Sequence, residues 1–205
     1  MGNISAKLVK ELREKTGAGM MECKKALEDA GGNLEEAVTL LRKRGAAAAE
    51  SKVGRATSEG LVSSYIHPGG RVGVLIEVNC ETDFVAATEE FRELVKDLAM
   101  QVAAASPALA RWVRREDVPA NALDKERDIL KSQAEATGKP ANVIDKIVEG
   151  KLSKFYSENV LLEQPYIKNP DQTVEEYLKS KIAVLKENIQ VRRFVRFERG
   201  ETLGS

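Results

Sequence analysis

The hydrophobic period of this chain changes three times, and those changes limit the folds open to it more than any single residue does. Up to Arg44, apolar residues recur at helical spacing. Ile4, Leu8 and Leu12 form one stripe, Met20, Cys23, Ala26, Leu27 and Ala30 a second, and Leu34, Ala37, Val38 and Leu41 a third. From Leu61 the period drops to two: Leu61, Ser63 and Tyr65 alternate with Val62, Ser64 and Ile66, and Val72, Val74, Ile76 and Val78 alternate with Gly73, Leu75 and Glu77. Helical spacing returns with Phe91, Leu94, Val95, Leu98 and Val102. A last alternation runs from Ile189 to Glu198. The pattern predicts an α+β fold: three short helices, a hairpin, a series of helices, and a closing strand paired with the hairpin in an antiparallel sheet packed with helices.

Local signals place the boundaries. Thr16-Gly17-Ala18-Gly19 separates the first two helices, and Gly31-Gly32 closes the second. Asn33 caps the third with Glu36, Arg42-Lys43-Arg44 suit the negative end of its dipole, and Gly45 marks its stop. Helices this short are marginal alone, so they pack as a bundle. Ala46 to Gly60 is poor in large apolar residues and reads as a linker, in part helical. Pro68-Gly69-Gly70 makes the hairpin turn, and Thr88 with Glu89 and Glu90 opens a helix. Further helices are expected near Leu123 to Ala136, Val143 to Tyr156 and Val174 to Glu187, the last with a Thr173/Glu176 capping box. The expected domains are residues 1–45, a linker 46–60, a core 61–200 and a tail 201–205, in which Thr202 to Ser205 carry no pattern and read as an added remnant.

Composition narrows the function classes. Lysine plus arginine and aspartate plus glutamate number 32 each, so no bulk field draws the molecule to nucleic acid or anionic lipid, and its partners are expected to be proteins. Cys23 and Cys80 form no disulfide framework, and the chain has neither a signal-peptide core nor an apolar run of about 18 residues. A soluble, unprocessed, cytoplasmic protein is the expectation. No catalytic constellation is visible. His67, the single histidine, sits beside the predicted turn without a second ligand. Gly17-Ala18-Gly19 followed by Lys24 lacks phosphate-loop spacing, and Glu77, Glu81 and Asp83 read as solvated acids. No cofactor or metal is implied.

Several segments carry a family resemblance. Glu11-Leu12-Arg13-Glu14-Lys15-Thr16-Gly17-Ala18-Gly19-Met20-Met21-Glu22-Cys23-Lys24-Lys25-Ala26-Leu27 resembles the ubiquitin-associated-like bundle that begins the elongation factor Ts family. Val78-Asn79-Cys80-Glu81-Thr82-Asp83-Phe84-Val85 is similar to its second signature. Lys146 to Leu152, Leu162 to Tyr166 and Glu187 to Phe194 follow the same family in the same order. The resemblance is to a short form, with room for one core subdomain and without an inserted helical hairpin or a C-terminal module. In that form a homodimer supplies the second half of the core.

The resemblance implies a nucleotide-exchange factor, not an enzyme. Its partner would be elongation factor Tu, in GDP-bound and nucleotide-free forms, with no membrane and no direct nucleic-acid contact. Thr82, Asp83, Phe84 and Val85 would dislodge magnesium, Phe84 as an apolar wedge and Thr82 and Asp83 fixing its loop. Arg13, Met20 and Met21 would bind the GTPase through the bundle. Pattern alone reads Phe84 and the methionine pair differently: a phenylalanine beside a helix start packs inward or caps, and Met20 and Met21 divide between core and surface. Burying one phenylalanine contributes roughly 1.5–3 kcal/mol, whereas moving a two-state equilibrium from 1:99 to 99:1 takes about 5.5 kcal/mol, so a wedge needs a wider interface. Two other readings remain open. The bundle could serve as a ubiquitin-associated-like adaptor without exchange activity, or Arg192, Arg193, Phe194, Arg196 and Phe197 could form a nucleic-acid-binding strand.

Overall fold

A computed structural model describes residues 4–136, Gly138 and residues 140–201. The proposed tail residues Thr202 to Ser205 lie outside the described residues, as does Asn3 at the expected start of the first helix. The architecture is α+β, with eight α-helices and five strands among the described residues. It resolves into two compact units. The first gathers the chain up to Leu61 with Val78–Leu94 and Glu176–Gln190; the second gathers Val62–Glu77, Val95–Glu175 and the chain from Val191.

In the first unit, α1 (Ala6–Thr16), α2 (Met20–Asp29) and α3 (Leu34–Glu50) make the expected bundle. Ser5 caps α1 by accepting from the Leu8 amide, and Asn33 caps α3 by accepting from the amides of Glu35 and Glu36 at 3.0 and 3.2 Å. Gly17, at φ 67°, ends α1 in the left-handed conformation. Val9, Leu12, Cys23, Ala26, Leu27, Ala30 and Ala37 form the bundle core. Two expectations fail here. Met20 shares the period of the buried residues, yet it and Met21, the first two residues of α2, are both exposed, and burial on this helix begins at Cys23. The third helix does not stop at Gly45 but runs to Glu50. Ala46-Ala47-Ala48-Ala49 are the strongest helix formers available, and they offset the roughly 1 kcal/mol that a mid-helix glycine costs. A Cβ at Gly45 would stand 3.3 Å from the Ala183 Cβ, so the glycine admits a close neighbour instead of ending the helix.

The hairpin forms as expected. β1 (Glu59–Ile66) and β2 (Val72–Cys80) are joined at the Pro68-Gly69-Gly70 turn, where the His67 amide donates to the Val72 carbonyl and the Gly70 amide to that of His67, both at 2.9 Å. The closing strand β5 (Gln190–Glu198) adds to β2, giving an antiparallel three-stranded sheet in the order β1-β2-β5. The central strand buries Val74, Ile76, Val78 and Cys80 on one face. Between β2 and α5 (Glu89–Ala104) lies a single helical turn, α4 (Asp83–Ala86). Thr88 caps α5 by accepting from the Phe91 amide, and Phe91, Leu94, Val95, Leu98 and Val102 are its buried stripe.

The second unit holds α6 (Ala120–Glu135) and α7 (Ala141–Asn159), which pack as a helical hairpin around Leu130, Ala134 and Val148. The expectation that an inserted helical hairpin is missing is thereby corrected. These helices have too thin an apolar stripe to be singled out as a unit by periodicity alone. A two-stranded pair, β3 (Pro165–Tyr166) and β4 (Asn169–Thr173), was not anticipated, because Pro165 and Pro170 argue against strands by pattern. Its anchor is buried. Asp97 accepts from the Tyr166 hydroxyl at 2.7 Å and the Lys168 ammonium at 2.6 Å, and Gln101 takes the Ile167 amide at 2.8 Å. The last helix, α8 (Val174–Leu185), ends two residues earlier than its periodicity predicts, with Lys186 at φ 63° turning the chain out of helical conformation.

Gly60 is the most constrained glycine, with φ at 143° and a would-be Cβ only 2.2 Å from the Val78 carbonyl oxygen. Gly60→Ala is expected to lower unfolding stability by about 1–3 kcal/mol, measured as a shift in the urea midpoint at unchanged slope.

Candidate functional site

The run Thr82-Asp83-Phe84-Val85 is not a loop but the start of α4. Thr82 is its N-cap in extended backbone conformation, and its hydroxyl oxygen accepts from the Val85 amide at 3.3 Å. At the other end the Thr88 hydroxyl donates to the Val85 carbonyl at 2.7 Å, so both ends of the turn are tied by threonine side chains. Ala86 is the residue that packs inward. Phe84 points the other way and, at 81% exposure, is the most exposed large apolar side chain among the described residues. The inward-packing reading of Phe84 is therefore overturned: a one-turn helix has one buried face, and Ala86 occupies it. Asp83 is exposed and Val85 half-buried.

The base of this turn is held from a distance of about a hundred residues in sequence. The Glu187 carboxylate accepts from the amides of Glu81 and Thr82, both at 3.0 Å, and from the Thr82 hydroxyl at 2.6 Å. The Glu81 carboxylate answers by accepting from the Asn188 amide at 2.6 Å, and Arg55 lies 3.5 Å from it. Asn188, almost wholly buried, donates its side-chain amide to the Arg55 carbonyl at 2.8 Å. Glu81 is thus paired and not the solvated acid first expected; the same holds for Glu77, which takes Arg193 Nε at 2.7 Å. Periodicity could not have found Glu187, Asn188 or Arg55 as supports, because each acts across a long sequence separation.

Beneath the turn, the Cys80 thiol donates to the Thr82 carbonyl at 3.2 Å. Burial pushes its pKa up from 9.0 to about 11, and the nearby Glu187 carboxylate pushes in the same direction. On α2, Glu22 beside Met20 and Met21 accepts from the Gly19 amide at 3.1 Å and from Lys186 Nζ at 2.7 Å. The Lys186 hydrogen bond lowers the Glu22 pKa. Arg13 lies exposed on α1. The His67 ring meets the Tyr65 hydroxyl at 3.2 Å from Nδ1. Among the described residues no group of three or more His, Cys, Asp or Glu side chains could hold a metal, and no helix is long and apolar enough to cross a membrane.

A helical bundle, a hairpin closed by a threonine-capped turn, and a last strand returned to that hairpin define an α+β protein in which a small N-terminal helical module accompanies a sheet-and-helix core. The family model described as "Elongation factor TS" matches residues 3–201. The chain belongs to the elongation factor Ts family, whose role lies in the elongation stage of protein biosynthesis. It is 62% identical over 198 residues to the elongation factor Ts of Thermoanaerobacter sp. (strain X514), covering 97% of this chain and 96% of that one. It is 60% identical over 200 residues to that of Carboxydothermus hydrogenoformans, covering 98% and 91% of the two chains. For Caldanaerobacter subterraneus subsp. tengcongensis the identity is 62% over 198 residues, covering 97% and 98%.

The raised Cys80 pKa carries a stability signature. Between pH 9 and about 11 the unfolded chain loses the thiol proton while the native chain keeps it, so the unfolded state binds fewer protons and stability falls as pH rises. Relative to Cys80→Ala, the parent should lose up to about 1.4 kcal/mol per pH unit across that window, read from urea unfolding at pH 8 and pH 10.

Proposed function

We propose that this chain is a guanine-nucleotide exchange factor for elongation factor Tu, working in the cytoplasm without a cofactor. It binds the GDP form, displaces magnesium and promotes GDP release by binding and conformational change. The observation that carries this reading is Phe84, exposed at 81% on a turn capped at both ends. A solvated phenylalanine contributes nothing to the stability of its own fold; buried in a partner it contributes roughly 1.5–3 kcal/mol. Held on a capped turn, it loses little further conformational freedom when it inserts. Asp83 beside it carries a negative charge suited to disturbing the groups around a cation.

The wider interface that such a wedge needs is available on the same unit. Met20 and Met21 are exposed at 58% and 75% on the first turn of α2, with Arg13 exposed on α1. Adaptable methionine side chains suit a partner surface. Residues 1–45 act in this reading as the anchoring module and Thr82, Asp83, Phe84 and Val85 as the releasing one. Since binding and nucleotide affinity are linked, the factor weakens GDP by the same free energy with which GDP weakens the factor.

A homodimer belongs to the same proposal. Along the strands, Val62 and Ile66 of β1, Leu75 of β2, and Val195 and Phe197 of β5 are all exposed. They share one sheet face: a Cβ at Gly73 would lie 3.0 Å from Ile66 Cδ1, and Arg193 pairs with Glu77 on that side. An apolar sheet face of this kind fits a second copy of itself. The adaptor reading predicts binding without nucleotide release. The nucleic-acid reading is disfavoured because two of the three arginines of β5 are paired with acids, Arg193 with Glu77 and Arg196 with Glu198.

Release of a fluorescent GDP from purified elongation factor Tu is the direct test, and acceleration at saturating factor is expected; none would leave the adaptor reading standing. Phe84→Ala should slow the accelerated release about ten- to hundredfold, the equivalent of the lost phenylalanine burial. Sedimentation of the parent chain at micromolar concentration should give a dimer, and the double variant Leu75→Glu with Phe197→Glu a monomer.

A further inference from the structure

We propose that Lys186 and Glu187 are positioning residues for exchange, joining the α2 turn that bears Met20 and Met21 to the α4 turn that bears Phe84 and so holding the two surfaces at one separation. The proposal rests on the exchange reading above. Three consecutive residues leave the end of α8, the first gripping α2 and the next two the junction before α4 and the segment at Arg55. Lys186 Nζ donates to Glu22 Oε1 at 2.7 Å, Glu187 receives the amides of Glu81 and Thr82 together with the Thr82 hydroxyl, and Asn188 binds the Glu81 carboxylate and the Arg55 carbonyl.

The divergence of these grips has a backbone cause. Lys186 stands at φ 63°, a conformation uncommon for a residue with a Cβ, while its amide still donates to the Ile182 carbonyl at 2.9 Å. The left-handed residue turns the chain between Lys186 and Glu187, so that neighbouring side chains reach α2 and the base of α4 respectively. Glu22 follows Met21 directly, and its second carboxylate oxygen takes the Gly19 amide at 3.1 Å. The link therefore ends on the turn that presents the methionines. Glu187 in turn holds the N-cap residue of a four-residue helix whose outward side chain is Phe84. A wedge transmits force only as far as its base is rigid, and a single helical turn, even one capped by Thr82 and Thr88, is too short to be stable on its own backbone hydrogen bonds.

Glu187→Gln tests this with little change of volume: one carbonyl oxygen remains for the two amides, but the charge is lost and an NH2 donor stands where an oxygen accepted from the Thr82 hydroxyl. Fluorescent GDP release from elongation factor Tu is followed across a range of factor concentrations for the parent and the variant. The expected result is a maximal release rate about tenfold lower with a half-saturating concentration within about twofold of the parent, because the wedge is loosened while the methionine surface still binds. A variant that is merely less folded behaves in the opposite way, reaching the parental rate at saturation with a raised half-saturating concentration, and that result overturns the proposal. Lys186→Glu should lower the maximal rate in the same manner, and Lys186→Glu combined with Glu22→Lys should recover at least half of that loss; no recovery overturns the Lys186 part. A Glu187→Gln chain with parental kinetics overturns the positioning role while leaving exchange intact, whereas an inert parent overturns the exchange reading itself.

Discussion

The Glu187 carboxylate, shared among two backbone amides and a threonine hydroxyl, is the interaction on which the candidate site depends. Hydrogen bonds to an ionised acceptor are stronger than neutral ones, and an amide left buried without an acceptor costs about 1–3 kcal/mol. Glu81 and Thr82 stand where β2 has ended and α4 has not begun, so neither sheet nor helix supplies acceptors for their amides. A single carboxylate from the end of α8 supplies both. With that acceptor in place, Thr82 can turn its hydroxyl oxygen to the Val85 amide, α4 can close its one turn, and Phe84 is left facing solvent.

Around this junction the first unit is built from contacts that converge on α8 and the residues just after it. Gly45 of α3 admits Ala183, Arg42 reaches Glu176 at 3.2 Å, and Lys186 meets Glu22. The exposed ion pairs among these contribute little individually. Their value lies in register, because each selects one placement of the bundle helices against α8. The second unit follows a different logic. There a buried acid, Asp97, anchors the β3–β4 pair through Tyr166 and Lys168, while an open apolar sheet face is left to a second molecule in the proposed dimer.

Much of the fold was legible because it rests on periodicity and capping, which are local. The three bundle helices, the hairpin with its glycine turn, the Thr88 cap and the closing strand follow from residues within a few positions of each other. The end of α3 was misplaced because Gly45 is a stop signal only when nothing packs on it, and Ala183 does. Met20 falls on the core stripe by period, and period cannot tell whether the first residue of a helix is covered by a neighbouring element. The β3–β4 pair was illegible since its stabilising groups, Asp97 and Gln101, lie on another element.

The sequence by itself determined the family, through segments whose order and identity no other feature needs to explain, and it determined the candidate residues Thr82, Asp83, Phe84 and Val85. Tertiary structure alone decided how those residues are presented. Local pattern sends a phenylalanine beside a helix start inward, and only the one-turn length of α4, with Ala86 on its buried face, turns Phe84 out. It also decided what steadies the turn. Glu187 lies more than a hundred positions away in a segment that carries the family resemblance but names no partner for the side chain, and a hydrogen bond over that separation exists only once the chain has folded to bring donor and acceptor together.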